Sequence, residues 1–310
     1  MAEVATSASS SANSSARSDQ LLVVVDPVAR RLDGESVRIA KDVLSAGASH
    51  TKVCLPDGPE EFARALARRG SRRPVVVGDD SALLRAVALL HRRRELAGCA
   101  LSVVPVGSVL GLARSLGLPI GAVAAARAVL DGTERRLDLL VDDSDGVVLG
   151  AVGIPGVPVP VPAREGAHAG PGGASESASA SAAASAHPWL RTCQSLVRTL
   201  AASRPARTTL APGAAGPARL RVEVDGVTLV DLDQPVDGVS VTPGAGGMAV
   251  VEVRPLPAGA EMSPLTASGR TVTVSGAHFR YRADAMVSGP VRTRTWVVRE
   301  GAWGLTLPAR

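Results

Sequence analysis

Between Pro74 and Pro119 the hydrophobic period changes twice, and that stretch constrains the fold more than any other part of the 310-residue chain. Pro74-Val-Val-Val77 is a β-branched run that breaks at Gly78, after which apolar positions resume at helical spacing with Leu83, Leu84 and Val87. Leu101-Ser-Val-Val-Pro-Val106 repeats the design, with a turn at Gly107-Ser108 and a helix stop at Gly117-Leu-Pro119. A buried strand feeding a helix, twice in succession, is the unit of a parallel α/β sheet. If adjacent strands carry these turns, both helix N-termini open onto the carboxyl edge of the sheet, where α/β folds bind ligands.

The flanking segments extend the pattern. Leu21-Leu-Val-Val-Val25 reads as a strand stopped by Asp26-Pro27, with a helix near Ser36 to Ser45. Thr51 to Leu55 reads as a second strand, and Pro59 to Arg69 as a helix that Gly70 ends. An Ala-rich helix follows from Ile120 to Leu130. Arg135 to Asp142 and Val147 to Val152 are strands joined by Asp142-Asp-Ser-Asp-Gly146; the acidic cluster has the look of a calcium loop, but Asp-Gly between strands favours a hairpin.

From Pro155 to Ala186 the residues are mainly Pro, Gly, Ser and Ala, which cannot bury a core. Order is expected again at His187-Pro-Trp-Leu190, with Leu196, Val197 and Leu200 at helical spacing. After Arg219, two-residue alternation marks strands at 220–224, 227–230, 248–253, 270–274, 278–282, 291–298 and 304–307. The expected architecture is a disordered tail (1–20), a parallel-sheet α/β domain (21–150), a disordered insertion (151–186) and an antiparallel β-rich domain (187–310).

Composition excludes several function classes. The formal charge of +5 is carried almost wholly by arginine, since lysine occurs only at 41 and 52. Aromatic residues make up only 2% of the chain, too few for stacking on bases, so Arg68-Arg69, Arg72-Arg73 and Arg92-Arg93-Arg94 read as solvated faces and no nucleic-acid partner is expected. No apolar run is long enough to span a bilayer, and the Ser- and Ala-rich N-terminus has no signal-peptide pattern, so a cytosolic location is expected. Cys54, Cys99 and Cys193 are odd in number and without C-x-x-C pairing, and the five histidines are dispersed; no metal site is expected. No G-x-S-x-G elbow follows a strand, which disfavours a Ser/His/Asp hydrolase.

The two turns resemble those of the diacylglycerol kinase catalytic-domain family of lipid kinases, which read GGDGT and GTGNDFAR. Asp80, Leu83, Gly107, Ala113, Arg114 and the tail Ser115-Leu-Gly-Leu-Pro119 match that pattern. The resemblance implies a diacylglycerol kinase/NAD kinase-like α/β domain followed by a β domain, ATP and magnesium as cofactors, and a lipid at the inner membrane surface as partner. Carried over residue by residue, it implies nucleotide contacts at Gly78, Asp80, Ser81, Gly107 and Ser108, for which turn and cap chemistry is the competing reading.

The chemical part of each motif departs from the family. Gly78-Asp79-Asp80-Ser81-Ala82 places a carboxylate where the family has its second glycine and an alanine where it has a threonine. Val109-Leu110 replace polar positions, Cys54 replaces a threonine, and Asp26 puts a further carboxylate at the first turn. The family's proposed base is the Glu of an Asp-Gly-Glu; the matching segment is Asp284-Ala285-Met286, and a thioether accepts no proton. Bacterial relatives often hold a structural magnesium near an Asp-Gly turn, and the corresponding Gly244-Ala-Gly-Gly-Met248 contributes no carboxylate. These losses leave no catalytic residue beyond the remnant Asp80 and favour a catalytically degraded relative acting as a binding or regulatory module. An active ATP-dependent lipid kinase is the second reading, and an unrelated two-domain protein holding a small ligand at the same sheet edge is the third.

Overall fold

The computed structural model describes residues 20–154, 218–256 and 263–309, all within one unit of the chain. The expectations for the N-terminal tail, for the insertion from Pro155 onward and for the helical period at Leu196–Leu200 lie outside the described residues.

Strands β1 (Gln20–Val25), β2 (His50–Cys54), β3 (Arg73–Gly78) and β4 (Ala100–Pro105) form a parallel sheet in the order β2-β1-β3-β4. Four helices connect them, α1 (Pro27–Leu32), α2 (Gly34–Gly47), α3 (Pro59–Ala67) and α4 (Asp80–Arg92), and two more follow β4, α5 (Gly111–Ser115) and α6 (Ala122–Asp131). The near-continuous Val/Leu runs follow from burial on both faces, because successive side chains of a strand point to opposite sides. Leu22, Val24, Val76, Leu101 and Val103 share one core with Phe62, Leu66, Leu83 and Leu90 of α3 and α4. Leu21, Val23, Val75, Val77 and Val104 share the other with Val37, Leu44, Ala125 and Val129 of α2 and α6. Helix α1 is an addition to the sequence reading: Pro27 starts it at its first turn and Asp26 caps it, so the dipeptide that stops β1 also opens a helix.

The remaining strands are β5 (Thr133–Asp142), β6 (Val147–Val148), β7 (Val152–Ile154), β8 (Ala218–Val224), β9 (Val227–Val230), β10 (Pro235–Pro243), β11 (Ala249–Pro255), β12 (Leu265–Gly269), β13 (Thr271–Ala283) and β14 (Met286–Leu307). Their mutual pairings are antiparallel, around a core containing Val222, Val241, Val251, Val272 and Trp296. Four corrections to the sequence reading follow. Segments 270–274 and 278–282 are one strand, as are 291–298 and 304–307, each interrupted by a register shift that reads in sequence as a strand end. Strand β10 was not anticipated because Asp237-Gly238 looks like a turn, whereas Gly238 sits at a bulge against β11. Strand β12 was likewise missed. Strand β7 falls inside the 151–186 segment expected to be disordered; Val152 and Ile154 are buried and pair with β10.

The main topological correction concerns the C-terminus. Strand β14 pairs with β13 over its first half and with β5 from Trp296 to Leu307, and its end lies parallel to β4 at Gly304↔Ala100 and Leu305↔Leu101. The α/β and β-rich regions therefore share one sheet, and the end of the chain is the fifth strand of the parallel region. Trp303 and Leu305 lie in the same core as Leu101 and Val103. Among the described residues, the one buried polar pair on this seam is Ser102 Oγ, which donates to Thr306 Oγ1 at 2.9 Å, with both side chains out of solvent.

That bond is testable. Thr306→Val strands a buried hydroxyl and should lower the unfolding free energy by about 1–3 kcal/mol. Ser102→Ala/Thr306→Val removes both partners and should recover most of the loss in urea titrations. A double variant as unstable as the single one contradicts this account of the seam.

Candidate functional site

The first turn is shaped by close approach. A Cβ on Gly78 would lie 2.7 Å from the Ala82 Cβ and 2.9 Å from the Asp26 Cβ, so only glycine fits where β3 ends. Asp79 then takes an extended conformation and caps α4, its Oδ1 accepting from the Ala82 N–H at 3.1 Å. The second turn packs on the first. Val106 N–H donates to the Gly78 carbonyl at 2.9 Å, and Gly107, at φ +135°, would bring a Cβ to 3.0 Å from the Asp79 Cβ. The Asp79 side chain thus sits between the two glycine turns.

Asp80 is 4% exposed although it carries a carboxylate. Its oxygens accept from the Leu112 N–H at 2.8 Å and the Ala113 N–H at 2.9 Å, while its own N–H donates to the Val109 carbonyl at 3.0 Å. The first residue of α4 therefore supplies the cap that α5 lacks, since Leu110 at the α5 N-cap has no acceptor side chain. Asp26, 2% exposed, accepts from the Val28 N–H and from Arg85 Nη1 at 2.7 Å, and that guanidinium lies 5.4 Å from the Phe62 ring centroid. The carboxylate expected to face a nucleotide is thereby neutralised by a cation from α4.

Next to these turns lies a cavity of about 440 Å³ between α4, the β5–β6 hairpin and the β13–β14 turn. Leu84, Ala88, Val147, Val148 and Met286 give it an apolar lining; Ser81, Arg85, Asp142, Tyr281 and Asp284 supply its polar groups. Asp284, at φ +51°, accepts from the N–H groups of Leu149, Gly150 and Ala151 at 2.7–3.0 Å. Burial pushes its pKa up in spite of those bonds, and the nearby Asp80 carboxylate adds to the rise. Asp142 goes the other way: burial alone would raise it, but hydrogen bonds from Ser144 and Gly146 and the charge of Arg294 carry it below the usual carboxylate value.

The structure places the five expected contact residues in three situations. Gly78, Asp80 and Gly107 meet at the packed junction of the turns, Ser81 lines the cavity, and Ser108 is exposed on the second turn away from the cavity lining. Capping of α4 falls to Asp79, not to Asp80 or Ser81, and the N–H groups of α5 are met by Asp80, not by Ser108. Met286 is at the cavity mouth, 66% exposed. Arg85, Asp142 and Tyr281 were missed, although Arg85 stands four residues after Ser81 on one helix face and was findable by spacing. The acidic cluster at 142–146 is a hairpin turn, as expected, with Asp145 at φ +64° and Asp142 Oδ1 accepting from the Ser144 and Gly146 N–H groups. The Gly244–Met248 loop, which has no carboxylate of its own, is met by one from β5: Asp138 accepts from Gly247 N–H at 2.8 Å and from Gly301 N–H at 2.7 Å.

Two outcomes are expected from these contacts. Asp80→Ala uncaps α5 and leaves two N–H groups without partners, at a cost of about 2 kcal/mol in urea unfolding; an unchanged midpoint rules out the bracing role. For Asp284, the folded state holds its proton to higher pH than the unfolded chain, so its contribution to stability is full below about pH 3.9 and is lost as pH rises through the folded value. Asp284→Asn cannot titrate. Its stability deficit relative to wild type should therefore shrink between pH 4 and pH 7, and a deficit that grows contradicts the assignment.

Residues 20–141 match the family model for the diacylglycerol kinase catalytic domain. No curated protein sequence matches the chain. Solved structures from Bacillus anthracis str. Sterne, assigned as diacylglycerol kinases, superpose with TM-scores of 0.63, 0.62 and 0.61 at 13%, 12% and 12% identity, covering 93% of this chain and 97% of theirs. At that identity the likeness is one of fold, and it extends to the β-rich region that the family match leaves out. The segment match and the fold agree: residues 20–141 match the diacylglycerol kinase catalytic-domain family, and the chain shares the fold of those solved structures.

Proposed function

We propose that the chain is a non-catalytic, lipid-kinase-like binding or regulatory module. The observation that carries this reading is the use of the helix N-terminal N–H groups at both glycine turns. A phosphate bound there would need those donors, together with close backbone approach and a metal to offset charge. Ala82 N–H is already capped by Asp79, and Leu112 and Ala113 N–H by Asp80. The Asp79 carboxylate also stands between the turns, so the residues present do not fit a triphosphate with its magnesium, and no phosphoryl-transfer step is derived through one. Met286 at the base position adds a loss of about 100-fold to 10,000-fold in rate.

What such a module would hold is suggested by the cavity. Its apolar walls with Arg85 and two carboxylates at one side suit a small amphiphile, and the exposed Met286 at the mouth, with exposed Val287 next to it in the chain, suits a lipid surface. Among the described residues no helix is long and apolar enough to cross a membrane, so any lipid contact of this region would be peripheral or through strands.

One observation favours the second reading, an active ATP-dependent lipid kinase. Asp142 lies at the cavity wall with its pKa below the usual carboxylate value, and among the described residues its Oδ2 accepts a hydrogen bond from the Tyr281 hydroxyl at 3.4 Å. A carboxylate so placed is a possible base from a position the family pattern does not mark. The same assay separates the readings: labelled ATP and diacylglycerol in mixed micelles, for wild type, Asp142→Asn, and a variant carrying Asp79→Gly, Ser81→Gly, Ala82→Thr and Met286→Glu. Wild type is expected to transfer no label above a protein-free control. Robust wild-type turnover that Asp142→Asn abolishes overturns the binding-module reading.

A further inference from the structure

The arginine triplet at 92–94 lies apart from the cavity at the glycine turns. Arg93 pairs with Glu95, but Arg92 and Arg94 flank a separate cleft of about 790 Å³ at the far end of α4. A helix of this length spans about 20 Å, so the cleft lies well away from Ser81. Arg270, from the turn between β12 and β13, and Arg299, from β14, line the same cleft. Four guanidiniums from three separate parts of the chain thus converge on one concavity.

Their charges are only partly answered. Within the cleft Glu300 lies 3.6 Å from Arg270, and Asp145 is engaged by His91 Nε2 at 2.9 Å. The side chains of Arg92, Arg94 and Arg299 make no ion pair or hydrogen bond among the described residues. Some arginines elsewhere on the surface, such as Arg30, Arg38 and Arg221, are paired with carboxylates, while Arg68, Arg127 and Arg280 stand singly among the described residues, so what sets the cleft apart is the convergence of several cations on one concavity. The partial negative charge at the C-terminal end of α4 accounts for a cation at Arg92, but not for Arg270 and Arg299 arriving from the β region. Leu139, Val141 and Val298 give the cleft an apolar floor, which lowers the local dielectric and focuses the field of the rim.

We propose that this cleft is a binding site for a soluble small molecule carrying two or more phosphate groups. Guanidinium forks bind phosphate oxygens bidentately, and the volume lies within the range of about 300–1,000 Å³ usual for small-ligand sites. Concavity favours a small anion over a membrane, whose headgroups present a plane that an inward-facing rim cannot follow. The site is independent of the reading of the glycine turns.

The test is calorimetric titration of the full chain with inorganic tripolyphosphate at low salt. Wild type should bind saturably, and Arg92→Ala/Arg94→Ala/Arg299→Ala should weaken binding by about tenfold or more. Because these side chains are exposed, the variant should keep its thermal midpoint. A control lacking the same charge elsewhere, Arg68→Ala/Arg127→Ala/Arg280→Ala, should bind within about twofold of wild type, as expected where screening leaves distant charges weakly coupled. Absence of saturable binding, or equal loss in both variants, overturns the proposal. Co-sedimentation with phosphatidylglycerol vesicles is the other arm. If the cleft variant loses vesicle binding while its tripolyphosphate affinity is unchanged, the cleft is a membrane contact and the proposal fails.

Discussion

Asp80 is the buried carboxylate on which the arrangement of the two glycine turns depends. Its oxygens face two backbone donors of α5, its N–H reaches back to Val109, and it sits in the first turn of α4. Burying a carboxylate at 4% exposure is costly unless hydrogen bonds offset it, and here two backbone N–H groups at the start of α5, one to each oxygen, do so. The residue that best preserves the family pattern is thus, in this chain, a brace between two loops. Its neighbour Asp79 caps α4 and packs against Gly107 of the second turn.

The brace extends to the β-rich region through contact. A Cβ on Gly150 would lie 3.0 Å from Leu112 Cδ1 and 2.8 Å from Asp284 Oδ1, so the start of α5, the β6–β7 connection and the β13–β14 turn meet at one glycine. Strand β14 makes the same connection on a larger scale, running from Met286 at the cavity mouth to Leu305 and Leu307 in the α/β core. Cavity shape is therefore tied to the pairing of β14 with β4 and β5.

How much of this was legible in the sequence follows from how local each feature is. Strands β1, β3 and β4 and helices α2, α4 and α5 were readable, because burial on both faces writes continuous apolar runs and the glycines mark their ends, whereas α1 was hidden by the Asp26-Pro27 stop. The joining of 291–298 with 304–307 was not, since Gly301 at φ +52° and the intervening charged residues look like a turn while the ladder continues across a bulge. The turn residues of the site were legible as positions but not as roles. Nothing in Asp79-Asp80 says which carboxylate caps its own helix and which reaches α5; that depends on the second turn packing on the first. Arg270 and Arg299 could not be joined to Arg92 from sequence, because the pairing of β14 with β5 and with the start of β13 brings them together.

The central claim is that carboxylates stand in the place of nucleotide phosphates at these turns. Its most direct measurement is calorimetric titration of the Arg92→Ala/Arg94→Ala/Arg299→Ala protein with ATP, with and without magnesium, which removes the separate arginine cleft from the readout. The account expects no saturable heat in either condition. Saturable, magnesium-dependent ATP binding that is lost on substituting Ser81 and Ser108 would contradict it.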